Sequence, residues 1–230
     1  MKISIIIPIY NESRWIDAVI TKIKSARLPD NIVKEVIIIN DGSTDNTSNK
    51  LKKYNGEPQI KIFHQMLNKG KGHAVRLGFE KLTGDIILIQ DADLEYDPSD
   101  YHKLIEPIIK NKALIVYGSR FKGTIKRMPL INRIANILSN ITLNVLFHTK
   151  LTDVHTCYKV FRKEVLKDIK ITSERFTFDT EITAKILKKG HTIYEVPISY
   201  TARSRKEGKK ITYREALRVY WGIIKFRFKN

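Results

Sequence analysis

Three apolar runs of strand length, each stopping abruptly at polar residues, limit the folds open to this 230-residue chain. They cover residues 3–9, 33–39 and 86–89, and they end at Tyr10-Asn11-Glu12, Asp41-Gly42-Ser43 and Asp91-Ala92-Asp93. Continuous β-rich runs are the pattern of strands buried on both faces. Between them the apolar period changes to that of helices. Trp15, Ile16, Val19, Ile20 and Ile23 share one helical face, residues 46–54 read as helical, and residues 74–82 form a helix after a short third strand at 60–64. This alternation, sustained to residue 118, predicts an α/β domain built on a mostly parallel, doubly wound sheet. Ligands of such sheets sit beyond the carboxyl ends of the strands, so the three polar clusters mark one working edge.

Beyond it, residues 100–111 read as a helix and 113–117 as a strand ending at Gly118-Ser119-Arg120, with 122–128 as loop. Residues 130–147 are rich in Ile and Leu but interrupted by Asn132, Arg133, Asn136, Ser139, Asn140 and Asn144. Burial in the core and residence at a membrane interface are both open for that helix. Residues 157–161 suit a strand, 178–188 a helix, and 192–200 an edge strand, since Pro197 cannot donate to a ladder. Residues 212–228 have helical spacing, with Tyr213, Leu217, Tyr220, Trp221, Ile224 and Phe228 on the apolar side. The expected organisation is an α/β domain over 1–211 and a basic amphipathic helix over 212–230. No leader is expected ahead of the first strand, and no run of 18 apolar residues reads as a membrane span. The single cysteine, Cys157, suits a reducing compartment and reads as a small buried hydrophobe.

The net charge of +18 favours a polyanionic partner. Basic residues crowd the last stretch, from Arg203 onward, where only Glu207 and Glu215 oppose them. Asp91 and Asp93, two apart in an extended chain, can face one spot. Two carboxylates there call for a hard cation such as Mg²⁺ or Mn²⁺ shared with a phosphate; capping of the next segment is the competing reading. Asp41 serves either as a turn cap or as an acceptor for a base or ribose. Asn68-Lys69-Gly70-Lys71-Gly72 lacks the Walker spacing, and its glycines suit either a close approach to a ligand or a plain turn. Arg120, directly after a strand, is placed to grip phosphate or to sit solvated. His155 and His191 have no metal-ligand spacing and read as structural or surface residues.

Taken together, Pro8-Ile9-Tyr10-Asn11-Glu12, Asp41-Gly42-Ser43-Thr44-Asp45, Asn68 to Gly72 and Asp91-Ala92-Asp93-Leu94 resemble the motif set of family 2 glycosyltransferases of GT-A fold. Gly118-Ser119-Arg120, residues 153–161, Glu195-Val196-Pro197-Ile198, Arg203 and Glu207-Gly208-Lys209-Lys210 resemble the dolichol-phosphate mannose synthase-like branch. The resemblance implies inverting transfer of a hexose from a GDP- or UDP-sugar to a polyprenyl or dolichyl phosphate. It implies Pro8, Tyr10, Glu12 and Asp41 in the nucleotide pocket, Gly70, Lys71 and Ala74 on its rim, and Asp91, Ala92 and Asp93 around the diphosphate. Asp91, Asp93 and, in place of the family's Gln, Glu95 are the implied ligands of Mg²⁺ or Mn²⁺. Asp93 and Arg120 are the implied catalytic residues, and Arg120, Arg133, Arg203 and Lys210 the implied acceptor-phosphate set. The expected location is the cytosolic membrane face, held peripherally on anionic lipid, with the need for a separate membrane subunit left open. The competing readings are a family 2 enzyme with a polysaccharide, diphospholipid or protein acceptor and, from another class, a nucleic-acid-binding protein. The last has no recognisable nucleic-acid motif, so no nucleic-acid partner is expected.

Overall fold

The computed structural model describes residues 1–29, 31–167, 169–204, 207–208 and 212–229. Its elements follow in the order β1 (Lys2–Ile9), α1 (Ile16–Ser25), β2 (Val33–Asp41), α2 (Thr47–Leu51), β3 (Ile60–Gln65), α3 (Lys71–Lys81), β4 (Ile86–Ile89), α4 (Tyr101–Ile109), β5 (Ile115–Lys126), α5 (Leu130–Phe147), β6 (Lys159–Arg162), α6 (Phe178–Lys188), β7 (Tyr194–Thr201) and α7 (Tyr213–Phe228). The strands form one seven-stranded sheet in the order β3-β2-β1-β4-β6-β5-β7. β1 runs parallel to β2 on one side and to β4 on the other. The direction of winding therefore reverses at β1, and a crevice opens beyond the carboxyl ends of β1 and β4. β6 is antiparallel to both β4 and β5, so its start faces that same edge. The segment before it, residues 151–158, is thereby carried across the crevice.

The core explains why these segments became strands. Ile3, Ile5, Ile6 and Ile7 of β1 and all four residues of β4 are buried, as the uninterrupted apolar runs require. α1 presents Ile16, Val19, Ile20 and Ile23 to this core. β7 lies at the sheet's edge, where Pro197 is tolerated.

Three details differ from the sequence reading. β5 continues through the predicted loop to Lys126, because after an irregularity between Ser119 and Thr124 it pairs again with β7 at Ser199, Tyr200 and Thr201. α3 begins at Lys71 instead of Ala74, with Gly70 at φ +99° before it. The third difference is α5. Its buried residues are Ser139, Asn140 and Leu143, whereas Leu130, Ile131, Ile134, Ile137, Leu138, Ile141 and Val145 are exposed. Core burial of its apolar face is thus overturned: the helix buries its polar side. The cause is an asparagine ladder at four-residue spacing. Asn144 Nδ2 donates to Leu151 O at 2.8 Å and its Oδ1 accepts from Leu151 N–H at 2.9 Å. Asn140 Nδ2 donates to Thr152 O, and its Oδ1 accepts from Val154 N–H at 3.0 Å. Those bonds satisfy the backbone of residues 151–154, which no strand pairs. Among the described residues, α5 is the one helix long and apolar enough to cross a membrane by length and composition alone.

Candidate active site

One corner of the crevice is built by Asp41, the last residue of β2. Its carboxylate accepts from Asn68 Nδ2 at 3.0 Å, Lys69 N–H at 2.9 Å and Gly70 N–H at 2.7 Å. The glycine–lysine loop is therefore folded around this carboxylate. Glycine is required twice here. A side chain on Gly42 (φ +66°) would place Cβ 2.5 Å from the Leu67 carbonyl carbon, and one on Gly70 would place it 2.6 Å from Glu174 O. The Tyr10–Glu12 loop is pinned to the same corner: Asn11 N–H donates to Ser43 Oγ at 2.9 Å, and Glu12 N–H donates to Thr47 Oγ1 at 3.0 Å. Pro8 and Tyr10 are half-buried on β1 and just past it. Ala74 is fully buried in α3, beneath the rim on which the resemblance put it.

The acidic residues after β4 do not continue an extended strand; the chain turns, with Leu94 at φ +59°. Asp91, Asp93 and Glu95 nonetheless stay close enough to repel one another. Burial, then Asp91, then Glu95 raise the Asp93 carboxyl to about 7, with Arg203 opposing. Each aspartate has its own cation. Lys71 Nζ lies 2.8 Å from Asp91 and 3.8 Å from Asp179. Arg203 spans Glu12 at 3.0 Å and Asp93 at 2.9 Å, tying the end of β7 to the β1 and β4 loops. Burial would lower the Lys71 pKa, but Asp179 and Asp91 outweigh it and hold the ammonium well above the usual lysine range. Glu95 accepts from Tyr200 OH and from Arg203 N–H, both at 2.7 Å, which braces the chain after β7. Ala92 is buried between the two aspartates.

Arg120 lies inside the molecule. Its Nε and Nη2 form a two-pronged pair with Asp153 at 2.7 Å each, Nη2 also donates to Asn136 at 3.2 Å, and the guanidinium covers the Tyr200 ring at 5.0 Å. Asp153 is itself held by Glu195, which accepts from its N–H at 3.0 Å. This brace joins β5, the 151–158 segment, α5 and β7. Arg133 is exposed on α5, one turn before Asn136, and Lys210 lies outside the described residues. Sequence reasoning assigned no site role to Asp153, Lys159 and Glu195, which it named only within motifs of the branch, and passed over Asp179. Lys159, fully buried, donates to Asp179 at 2.7 Å and lies 5.0 Å over the Tyr117 ring. The available signal was a charge at an interior position of an apolar pattern: Lys159 within the predicted strand and Asp179 beside Phe178.

The family model described as glycosyl transferase family 2 matches residues 4–170, which includes most of β1 and all of β2 to β6. The chain belongs to glycosyl transferase family 2. A dolichol-phosphate mannosyltransferase of Pyrococcus furiosus is 32% identical over 91% of this chain. A low-salt glycan biosynthesis hexosyltransferase, Agl6, of Haloferax volcanii is 30% identical over 87% of it. The chain spans 59% and 48% of the lengths of these two relatives. Among solved structures, glucosyl-3-phosphoglycerate synthase of Mycobacterium tuberculosis, crystallised with Mn²⁺, UDP and phosphoglyceric acid, superposes with a TM-score of 0.77 at 17% identity. That match covers 99% of this chain and 78% of the synthase chain, and it shows the shared GT-A fold.

For a family 2 enzyme the remaining question at this rim is whether its residues suit a divalent cation. Among the described residues no group of three or more His, Cys, Asp or Glu side chains could hold a metal by itself. Asp91 and Asp93 do offer hard oxygen donors whose crowding is recorded in the raised Asp93 carboxyl. Mg²⁺ is commonly bound by one or two carboxylates completed by waters and substrate phosphates. The donor set fits a cation that arrives with a diphosphate and does not fit an all-protein cage.

Proposed function

We propose that this chain transfers a hexose, with inversion, from a GDP- or UDP-sugar to a polyprenyl phosphate at a membrane surface. The observation that carries the reading is the pairing of Asp91 with Lys71 and of Asp93 with Arg203 at the switch point of the sheet. Asp91 and Asp93 would hold Mg²⁺ or Mn²⁺, which when bound would neutralise charge developing on the departing diphosphate. The chain's own residues do the rest. Lys71 and Arg203 stand where they can exchange an aspartate for a phosphate oxygen. Arg120 has Nε and Nη2 committed to Asp153 and Asn136, and its Nη1, without a hydrogen bond among the described residues, would orient an anionic acceptor. A phosphate monoester is largely dianionic near neutral pH, with a second pKa of about 6, so attack needs no strong base. The task is to bring two anions together, and a rim of cations set into low dielectric answers it.

The lipid acceptor is supported by the Pyrococcus furiosus relative and by the exposed faces of α5 and α7. α7 buries Gly222, Ile223 and Phe226 while Tyr213, Leu217, Trp221 and Phe228 remain exposed. Tyr220 OH and Thr142 Oγ1, 3.0 Å apart, link it to α5. Basic residues near anionic headgroups contribute about 1 kcal/mol each, enough for several to hold a protein reversibly. The test is a radiolabelled nucleotide sugar offered with polyprenyl phosphate and Mn²⁺. Label passing into the organic phase is the expected result; label appearing only in water-soluble product would point to a different acceptor.

A further inference from the structure

Among the described residues, His155 stands at the crevice without a part in that transfer. It sits in the segment carried across the sheet's working edge. Tyr158 OH donates to Gln90 Oε1 at 2.8 Å, and Cys157 Sγ lies 3.7 Å from Ile89 O, so residues 155 and 156 come next beyond the end of β4. Both ring nitrogens of His155 and the Thr156 hydroxyl are buried without a hydrogen-bond partner among the described residues. Orphaned polar atoms of this kind are uncommon in native structures and call for a reason.

The surroundings supply one. The charges that act on His155 are Asp179 first, then Lys159, Arg120 and Asp153. Asp179 leads through Lys71 to Asp91, on the donor side. Asp153 holds Arg120, on the acceptor side. The moving sugar must lie between a departing diphosphate and an attacking phosphate, and His155 is in electrostatic reach of both. Burial keeps the ring neutral, lowering its pKa to about 4. A neutral imidazole offers one donor and one acceptor. Sugar hydroxyls are each both, so a ring with two unpartnered nitrogens is matched to a hexose and poorly matched to a phosphate, which only accepts.

We propose that His155, supported by Thr156, forms the hexose subsite of the donor and sets which sugar is held. This rests on the nucleotide-sugar reading above, and the test separates the two. Calorimetry would measure UDP against UDP-glucose, and GDP against GDP-mannose, with Mn²⁺, for the wild type, His155→Phe and His155→Gln. Expected is a wild type that binds one of the two pairs. His155→Phe should weaken the nucleotide sugar about ten- to a hundredfold, as the loss of one or two hydrogen bonds would. Its affinity for the matching nucleotide diphosphate should stay within about threefold, and His155→Gln, which keeps a donor and an acceptor, should recover most of the loss. Taking the ratio of the two affinities cancels any general loss of folded protein. An unchanged ratio in His155→Phe, with or without a lower melting temperature, would overturn the subsite and leave the donor reading standing. A wild type that binds neither pair would overturn both.

Discussion

At the scale of single residues, two charged groups make opposite demands. Asp93 is crowded by acids, and its carboxyl stands at about 7 instead of 3.8. In the unfolded chain it ionises near 4. Between those values the folded state holds a proton that the unfolded state lacks, so this group's contribution to stability falls as pH rises through the window. With divalent ions chelated, the melting temperature of the wild type relative to Asp93→Asn should therefore drop from about pH 5 to about pH 8. Adding Mn²⁺ together with the nucleoside diphosphate at the upper end should recover it. A difference independent of pH would remove the crowding argument. Arg120 is the reverse case, a buried cation whose Nε and Nη2 are paired with Asp153. Arg120→Ala would strand the buried Asp153 carboxylate and should cost about 3–5 kcal/mol in urea unfolding, besides abolishing turnover. A variant as stable as the wild type would show the brace to be dispensable.

At the scale of elements, α5 separates what the sequence made legible from what it did not. Its limits, 130–147, follow from composition and spacing. Its orientation does not, because the asparagines gain their meaning only from residues 151–154, which fold back beneath them. The same holds for the site. Asp41, Lys71, Asp91 and Asp93 lie at the ends or starts of predicted elements, where the topology alone brings them together. Arg120 was visible as a residue, but its partner Asp153 is 33 positions away, and nothing local announces the pairing. The short turn after Ile89 was also hidden, since an extended reading of Asp91 and Asp93 required only that they be two apart. The exposed face of α5 yields its own prediction. Ile134→Glu, Leu138→Glu and Ile141→Glu together should leave the melting temperature near that of the wild type, since these side chains contact little in the fold. Sedimentation with vesicles containing anionic lipid should fall by about tenfold or more, given the cost of placing charge in an apolar interface. Unaltered sedimentation would move the membrane contact elsewhere.

At the scale of the molecule, the sheet, the 151–158 segment and the residues after β7 form one arrangement. Arg203 holds the loops of β1 and β4 at once, and Lys71 joins α3 to β4 and approaches α6. On the proposed reading the large positive charge of the chain would serve two ends, one inside the crevice and one along α7, and the two should respond differently to salt. Exposed charges are screened over about 10 Å at 0.1 M salt, and buried pairs are screened far less. Raising salt should release the protein from anionic vesicles well before it weakens nucleotide binding; simultaneous loss of both would contradict this division. The central claim is that acids at the sheet's edge take up a divalent cation together with a diphosphate. Calorimetric titration of UDP and GDP with and without Mn²⁺ tests it most directly. Mn²⁺ should strengthen binding of one of them by about tenfold or more in the wild type, and Asp91→Asn and Asp93→Asn should each erase the gain. Equal affinity with and without the metal in the wild type, or an undiminished gain in both variants, would contradict it.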